Sequence, residues 1–196
     1  MFTGIVTEVG TIVAIAPTDG GRLLRMAAPG TTRGLEIGDS VAVNGVCLTV
    51  LDVSGEQFAV EAVTETLSRT TAGGLESGDR VDLERPVAAA GRFDGHMVQG
   101  HVDGVGTVVE VVPEGDAIRM RISVPSPLAA YLVEKGSIAV DGVSLTVTAV
   151  SELSDPEAWF EVVLIPHTMS ATVLGERTVG RGVNLEVDVI AKYLER

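Results

Sequence analysis

Along most of the chain the apolar residues either alternate with polar ones or come in groups of three to six, as in TIVAIA (11–16), SVAVNGVCLTVLDV (40–53) and RVDLE (80–84). A two-residue period sends successive side chains to opposite faces, so these stretches predict short strands with one face in a core. Few stretches sustain the period of a helix. TETLSRTT (64–71) and HTMSATVL (167–174) predict single helical turns at a barrel mouth, with Thr or Ser as caps. SPLAAYLVEKG (126–136) spaces its apolar residues as a helix does and ends in Lys-Gly, which predicts a helix with a C-cap there.

The pattern is written twice. MFTGIVTEVGTIV (1–13) matches MVQGHVDGVGTVV (97–109), NGVCLTV (44–50) matches DGVSLTV (141–147), and TLSRTTAGGLESGDRVDLE (66–84) lies over TMSATVLGERTVGRGVNLE (168–186). The offsets are 96, 97 and 102, and the last step places a short insertion around SELSDPEAW, a polar loop containing a proline. Such self-similarity marks a tandem duplication. The fold class expected is all-β: a tandem pair of similar six-stranded antiparallel Greek-key barrels, with short helices and a short C-terminal helical tail. The boundaries expected are 1–96 for the first barrel, 97–188 for the second and 189–196 for the tail.

Composition fits many short strands joined by glycine turns: 23 glycines, 45% apolar residues and only 4% aromatic ones. The charge excludes one class of partner. With 14 basic and 27 acidic residues the formal charge is −13, which repels a phosphate backbone, so nucleic acid is not expected. A single Cys allows no intrachain disulfide, and no Cys/His cluster has metal-ligand spacing, so neither a metal nor an oxidising compartment is expected. No signal peptide or membrane span is visible, and a cytoplasmic location follows as the expectation.

MFTGIV, NGVCLTV, GHMVQGHVD, EKGSIAVDGVSLTV, LIPHT and VNLEVD, in this order and spacing, resemble the riboflavin synthase family over essentially the whole chain and in both repeats. The resemblance implies a dismutation in which one 6,7-dimethyl-8-ribityllumazine gives four carbons to another. The products are riboflavin and 5-amino-6-ribitylaminouracil. Donor and acceptor are the same molecule, so two similar pockets are needed, yet their chemical parts are opposite, so the pockets should differ: Cys47 stands where the other half has Ser144, Ile5 where it has His101, and Asn44 where it has Asp141. No cofactor is implied, and VDGVGTV is not a dinucleotide-binding turn.

The resemblance implies catalytic roles for Ser40, Cys47, Thr49, His101, Asp141, Ser144 and Thr146. Substrate contacts are implied at Gly4, Ile5, Val6, Leu48, Glu61, Ala62, Val63, Thr64, Glu65, Thr66, Gly100, Val102, Lys135, Leu145, Val163, Leu164, Ile165, Pro166, His167 and Thr168, mostly through backbone groups, because a pteridine edge is a row of donors and acceptors. Taken alone, a Cys within a strand also reads as a small buried hydrophobe, His101 as a surface histidine, and Lys135 and Asp141 as solvated charges. Glu61 stands where the family commonly has Asp, and Asp94 where it commonly has Gly. The family also implies a homotrimer, held partly by a C-terminal helix, and an association with lumazine synthase. A tail of this length is below the 12–15 residues or so that a lone helix needs, so a weakened trimer is expected. Ser40, Cys47 and Thr49 of one subunit are expected to face His101, Ser144 and Thr146 of the next. A lumazine-binding antenna protein on the same duplicated barrel is the alternative.

Overall fold

The computed structural model describes residues 1–195. The first half runs β1 (Glu8–Pro17), β2 (Gly21–Ala27), β3 (Ser40–Val43), β4 (Val46–Ser54), β5 (Gln57–Val63), α1 (Thr64–Arg69), a 3-10 turn (Thr71–Gly74) and β6 (Arg80–Glu84). The second half repeats it as β7 (Gly104–Glu114), β8 (Ala117–Ser123), α2 (Ser126–Ala129), β9 (Ser137–Val140), β10 (Val143–Val150), β11 (Trp159–Leu164), α3 (Pro166–Ala171), a 3-10 turn (Val173–Glu176) and β12 (Gly182–Val187), followed by α4 (Val189–Glu195). Around each barrel the strands lie in the order β1-β2-β5-β4-β3-β6 and β7-β8-β11-β10-β9-β12, antiparallel throughout and closed, as the alternation predicts. Closure removes the exposed strand edge that a short open sheet would present.

Each barrel bends at equivalent bulges, between Ile12 and Ala14 and between Val50 and Asp52 in the first, Val108 and Glu110 and Val147 and Ala149 in the second. An extra residue on one strand increases local twist, which a small barrel needs in order to close. The cores are also equivalent: Ile12, Leu24, Met26, Phe58 and Val60 fill one, Val108, Met120, Ile122, Phe160 and Val162 the other. With so few aromatics, β-branched and long aliphatic side chains supply most of the buried area.

The barrels are joined along a pseudo-twofold axis. Asn44-Gly45 and Asp141-Gly142 both have positive φ at both residues, the two-residue hairpin turn whose twist suits the flanking strands. The two turns meet back to back: a Cβ on Gly45 would lie 2.6 Å from the Gly142 nitrogen, so glycine is required. Phe2 and Val98 bridge across the axis, and with Ala42 and Ala139 form a small third core between the barrels.

Two local expectations change. α2 covers only Ser126–Ala129, and the left-handed residue before β9 is Lys135 (φ 68), not Gly136. The apolar residues at 128–132 instead become a lid on the second core, where Leu132 is buried and Leu128, Ala129 and Tyr131 pack against it. The threonine caps exist, but they serve the 3-10 turns: Thr70 accepts from the Ala72 amide and Thr172 from the Leu174 amide, whereas α1 and α3 lack a side-chain cap.

Candidate active site

Strand alternation decides which candidates can meet a ligand. On β4, Val46, Leu48 and Val50 point into the barrel, while Cys47 and Thr49 point out. β10 repeats this with Val143, Leu145 and Val147 inside and Ser144 and Thr146 outside. Leu48, Leu145, Ala62 and Leu164 are core residues, so only their backbones could touch a substrate.

The head segments of the two halves are exchanged. The Gly4 carbonyl accepts from the Ser144 amide at 2.7 Å, and the Gly100 carbonyl accepts from the Cys47 amide at 2.9 Å. Val6 packs against the second core, and Val102 against the first. Both glycines have positive φ, and a Cβ on either would lie 2.6 Å from the facing Cβ, of Ser144 or Cys47. A buried carboxylate fastens each head: Glu84 accepts from the amides of Thr3 (2.7 Å) and Gly4 (3.0 Å), Glu186 from those of Gln99 (2.6 Å), Gly100 (2.9 Å) and His101 (2.8 Å). Burial raises the pKa of both glutamates, and the donated amides oppose it.

This exchange builds a cleft of about 460 Å³ on the outer face of the first barrel. Cys47 and Val46 form its floor; α1 contributes Glu65, Thr66 and Arg69; and the crossing segment contributes Gly100, His101, Val102 and Asp103. Glu65 and Arg69 pair at 2.8 Å along α1. The structure therefore corrects one expectation: His101, expected opposite Cys47 in a neighbouring subunit, shares its cleft within one chain. Ser40 and Thr49 are cross-strand partners on β3 and β4. Glu61, Val63 and Thr64 follow β5 toward α1, and the Glu61 carboxylate accepts from the Thr18 hydroxyl.

The same construction on the second barrel brings Gly4, Ile5 and Val6 over β10, with Pro166, His167 and Thr168 on α3 in the place of Thr64, Glu65 and Thr66. Val163 and Ile165 lead into it as Glu61 and Val63 do on the first. Ile5 occupies the position of His101, so this side carries an apolar chain where the first has an imidazole. A histidine enters from elsewhere: His96 of the inter-barrel linker lies with Nδ1 2.7 Å from Ser144 Oγ. Burial lowers the His96 pKa, with Asp188 opposing, so the ring is neutral near pH 7. Nothing in the sequence around His96, within GHMVQGHVD, marks it as a site residue, because its partner is 48 residues away.

Two candidates lie apart from these clefts. Asp141 is fully buried: one carboxylate oxygen accepts from Arg177 (Nη2 at 2.8 Å) and the other from the Asn184 amide (2.8 Å). Both partners belong to the second barrel, and the buried carboxylate presents nothing to a substrate, which corrects its reading as a solvated or substrate-facing group. Lys135 is exposed, in no ion pair among the described residues. Asp94 pairs with Arg92 in the exposed linker. A larger groove, about 560 Å³, runs between the barrels past Arg80 and Arg177, but those arginines are committed to Glu176 and Asp141, and neither a thiol nor an imidazole lines it.

Residues 3–86 and 99–188 each match the lumazine binding domain. The chain is 48% identical over its whole length to riboflavin synthase of Mycobacterium tuberculosis, covering 97% of that protein, and 41% identical to that of Bacillus subtilis, covering 89%. Among solved structures it resembles LumP complexed with riboflavin (TM-score 0.86, 28% identity) and LumP complexed with 6,7-dimethyl-8-(1'-D-ribityl) lumazine (TM-score 0.84, 26% identity), covering 95% of this chain and 99% of LumP in each case. Duplicated barrels, two matches to one domain and full-length relatedness agree, and the chain belongs to the riboflavin synthase family.

Proposed function

We propose that the chain converts two molecules of 6,7-dimethyl-8-ribityllumazine into riboflavin and 5-amino-6-ribitylaminouracil, one molecule lying against each kind of cleft. The observation that carries this reading is the unequal equipment of two equivalent sites: thiol, imidazole and an ion pair in the first, a hydroxyl backed by a buried imidazole in the second. The methyl on C7 of the lumazine is acidified by conjugation into the ring, and C7 of the partner is electrophilic. Neutral His96 accepts a proton through the Ser144 hydroxyl, which suits the second cleft to the molecule that loses its C7-methyl proton. Cys47 and His101 flank the acceptor in the first. Alignment of the two ring systems is the largest contribution, since holding two reactants in register can remove roughly 7–11 kcal/mol of barrier, against about 10²–10⁴-fold for one acid/base group.

Within one chain the two clefts lie on separate barrels, so the reacting pair forms where the first cleft of one subunit meets the second cleft of its neighbour. A homotrimer supplies such contacts, and the exposed Ile190, Tyr193 and Leu194 of α4 support a role for that helix in assembly. A cytoplasmic location and association with lumazine synthase belong to this reading. Mixing the protein with 6,7-dimethyl-8-ribityllumazine alone tests it: flavin fluorescence should appear with no nicotinamide added and with a chelator present. Activity abolished by the chelator and restored by a divalent metal would count against it.

The likeness to LumP favours a second reading, a lumazine-binding protein without turnover. In that case the lumazine would bind with unchanged absorbance over hours and no flavin would form. The polar groups present in both clefts favour the enzyme.

A further inference from the structure

Where the barrels meet, four residues related by the pseudo-twofold axis stand in two matched pairs: Asn44 with Asp82 and Asp141 with Asn184. The frame is the same in both. The Asp82 amide donates to Asn44 Oδ1 and the Asn184 amide to Asp141 Oδ1, each at 2.8 Å, while the Asn44 and Asp141 amides donate to the Asp82 and Asn184 carbonyls, each at 2.9 Å. Asn184 then reaches across the axis with both ends of its side chain. Its Oδ1 accepts from the Thr71 amide at 2.8 Å, and its Nδ2 donates to the Asn44 carbonyl at 2.8 Å.

Asp82 repeats only the first of these contacts. Its Oδ1 accepts from the amide of Val173, the equivalent of Thr71, at 2.9 Å, but its Oδ2 is buried and has no hydrogen-bond donor among the described residues. The group equivalent to the Asn44 carbonyl is the carbonyl of Asp141. A carboxylate oxygen has no proton to give a carbonyl, and two acceptors facing each other in a dry interface repel. A carboxylic acid O–H can do what the Asn184 amide does.

We propose that Asp82 sits in the folded protein as the neutral acid and donates its hydrogen to the Asp141 carbonyl, completing the inter-barrel bonding in the manner of Asn184, so that the junction weakens when this proton is lost. The surrounding charges fit. Arg177 is committed to Asp141, and Arg80, on the same strand as Asp82, to Glu176 of the facing 3-10 turn. Glu84 and Glu186 turn toward the exchanged heads. Among the described residues no free cation balances an anion at position 82. Burial accordingly pushes the Asp82 carboxyl up to about 8; the Val173 amide opposes this, the Asp141 charge adds to it, and Arg177 and Arg80 oppose it from a distance.

The sign of the pH effect follows. An unfolded aspartate releases its proton above 3.8, while the folded one keeps it to about 8. Between these values the native state binds more protons, so the contribution of Asp82 is fully present below about 3.8, declines as pH rises, and is gone above about 8. Asparagine at the same position makes the same bond with no proton to lose.

The test is heat unfolding of the full chain from pH 5.5 to pH 9, wild type against Asp82→Asn. The variant should be the more stable, with a gap in Tm that widens by up to roughly 4 °C per pH unit as far as pH 8 and then stays constant. Asp82→Ala, which removes donor and acceptor together, should melt below Asp82→Asn at every pH. Independently, the ¹³C-carboxyl resonance missing from Asp82→Asn should titrate near pH 8 in the wild type. Parallel Tm profiles, a carboxyl that finishes titrating in the ordinary aspartate range, or an Asp82→Asn chain that does not fold would each overturn the proposal.

Discussion

The outer faces over β4 and over β10 share one backbone and differ in side chains, and the difference is confined to positions that face out. β4 and β10 place Cys47 and Ser144 identically, the crossing heads pass over both at a left-handed glycine, and a glutamate fastens each head by its amides. Against that constancy, His101 becomes Ile5, the Glu65–Arg69 pair becomes His167 and Ala171, and His96 joins only the second site. A duplicated barrel can hold its geometry through buried residues and leave outward positions free to diverge. Opposite chemical parts for two identical molecules are therefore available without any change of fold.

The sharpest break of this comparison is in the proton relay. His96→Ala should lower kcat by about 10²-fold or more while leaving lumazine affinity within a few-fold, as expected for the loss of one acid/base group, and steady-state flavin formation with a binding titration separates the two. Full turnover in this variant would remove the second cleft from proton transfer.

Complementation between subunits comes next. Cys47→Ala and Ser144→Ala damage different clefts, so mixed and exchanged subunits should regain several-fold more activity than either alone. Cys47→Ala with His101→Ala should regain none, because both lie in the first cleft. Rescue in both mixtures would show that His101 serves the other site. Cys47→Ser should bind lumazine normally and turn over more slowly than wild type but faster than Cys47→Ala.

Stability sharpens the comparison from the backbone side. Gly4→Ala and Gly100→Ala should each cost about 2 kcal/mol, since both force a Cβ into a left-handed turn pressed on its partner strand. Equal losses of Tm would support equivalent crossings; a loss at one position only would contradict them. The smallest effect concerns pH. Because the His96 pKa is lowered, the neutral ring survives to more acidic solution, so the acid limb of the kcat profile should lie below about pH 6.5 and vanish in His96→Ala.

Much of this molecule was legible in order and spacing alone. The duplication, the strand alternation that turns Leu48 and Leu145 inward and Cys47 and Ser144 outward, and the strand content are local properties, set by a two-residue period and by which residues tolerate turns. SPLAAYLVEKG misled because helical spacing of apolar residues also describes a short lid whose side chains drop onto a barrel end. The exchange of heads was decided only by tertiary structure: Val6 and Val102 would be equally buried on their own barrel or on the other, so hydrophobic pattern does not choose between them. The choice rests on the Phe2–Val98 bridge and on Glu84 and Glu186 meeting particular amides, contacts between residues more than eighty positions apart. That same long-range packing moved His101 beside Cys47, gave Ser144 its imidazole and enclosed Asp141 and Asp82 between the barrels. Charge and reactivity at those positions depend on what folding places beside them, and that is not written in the neighbouring sequence.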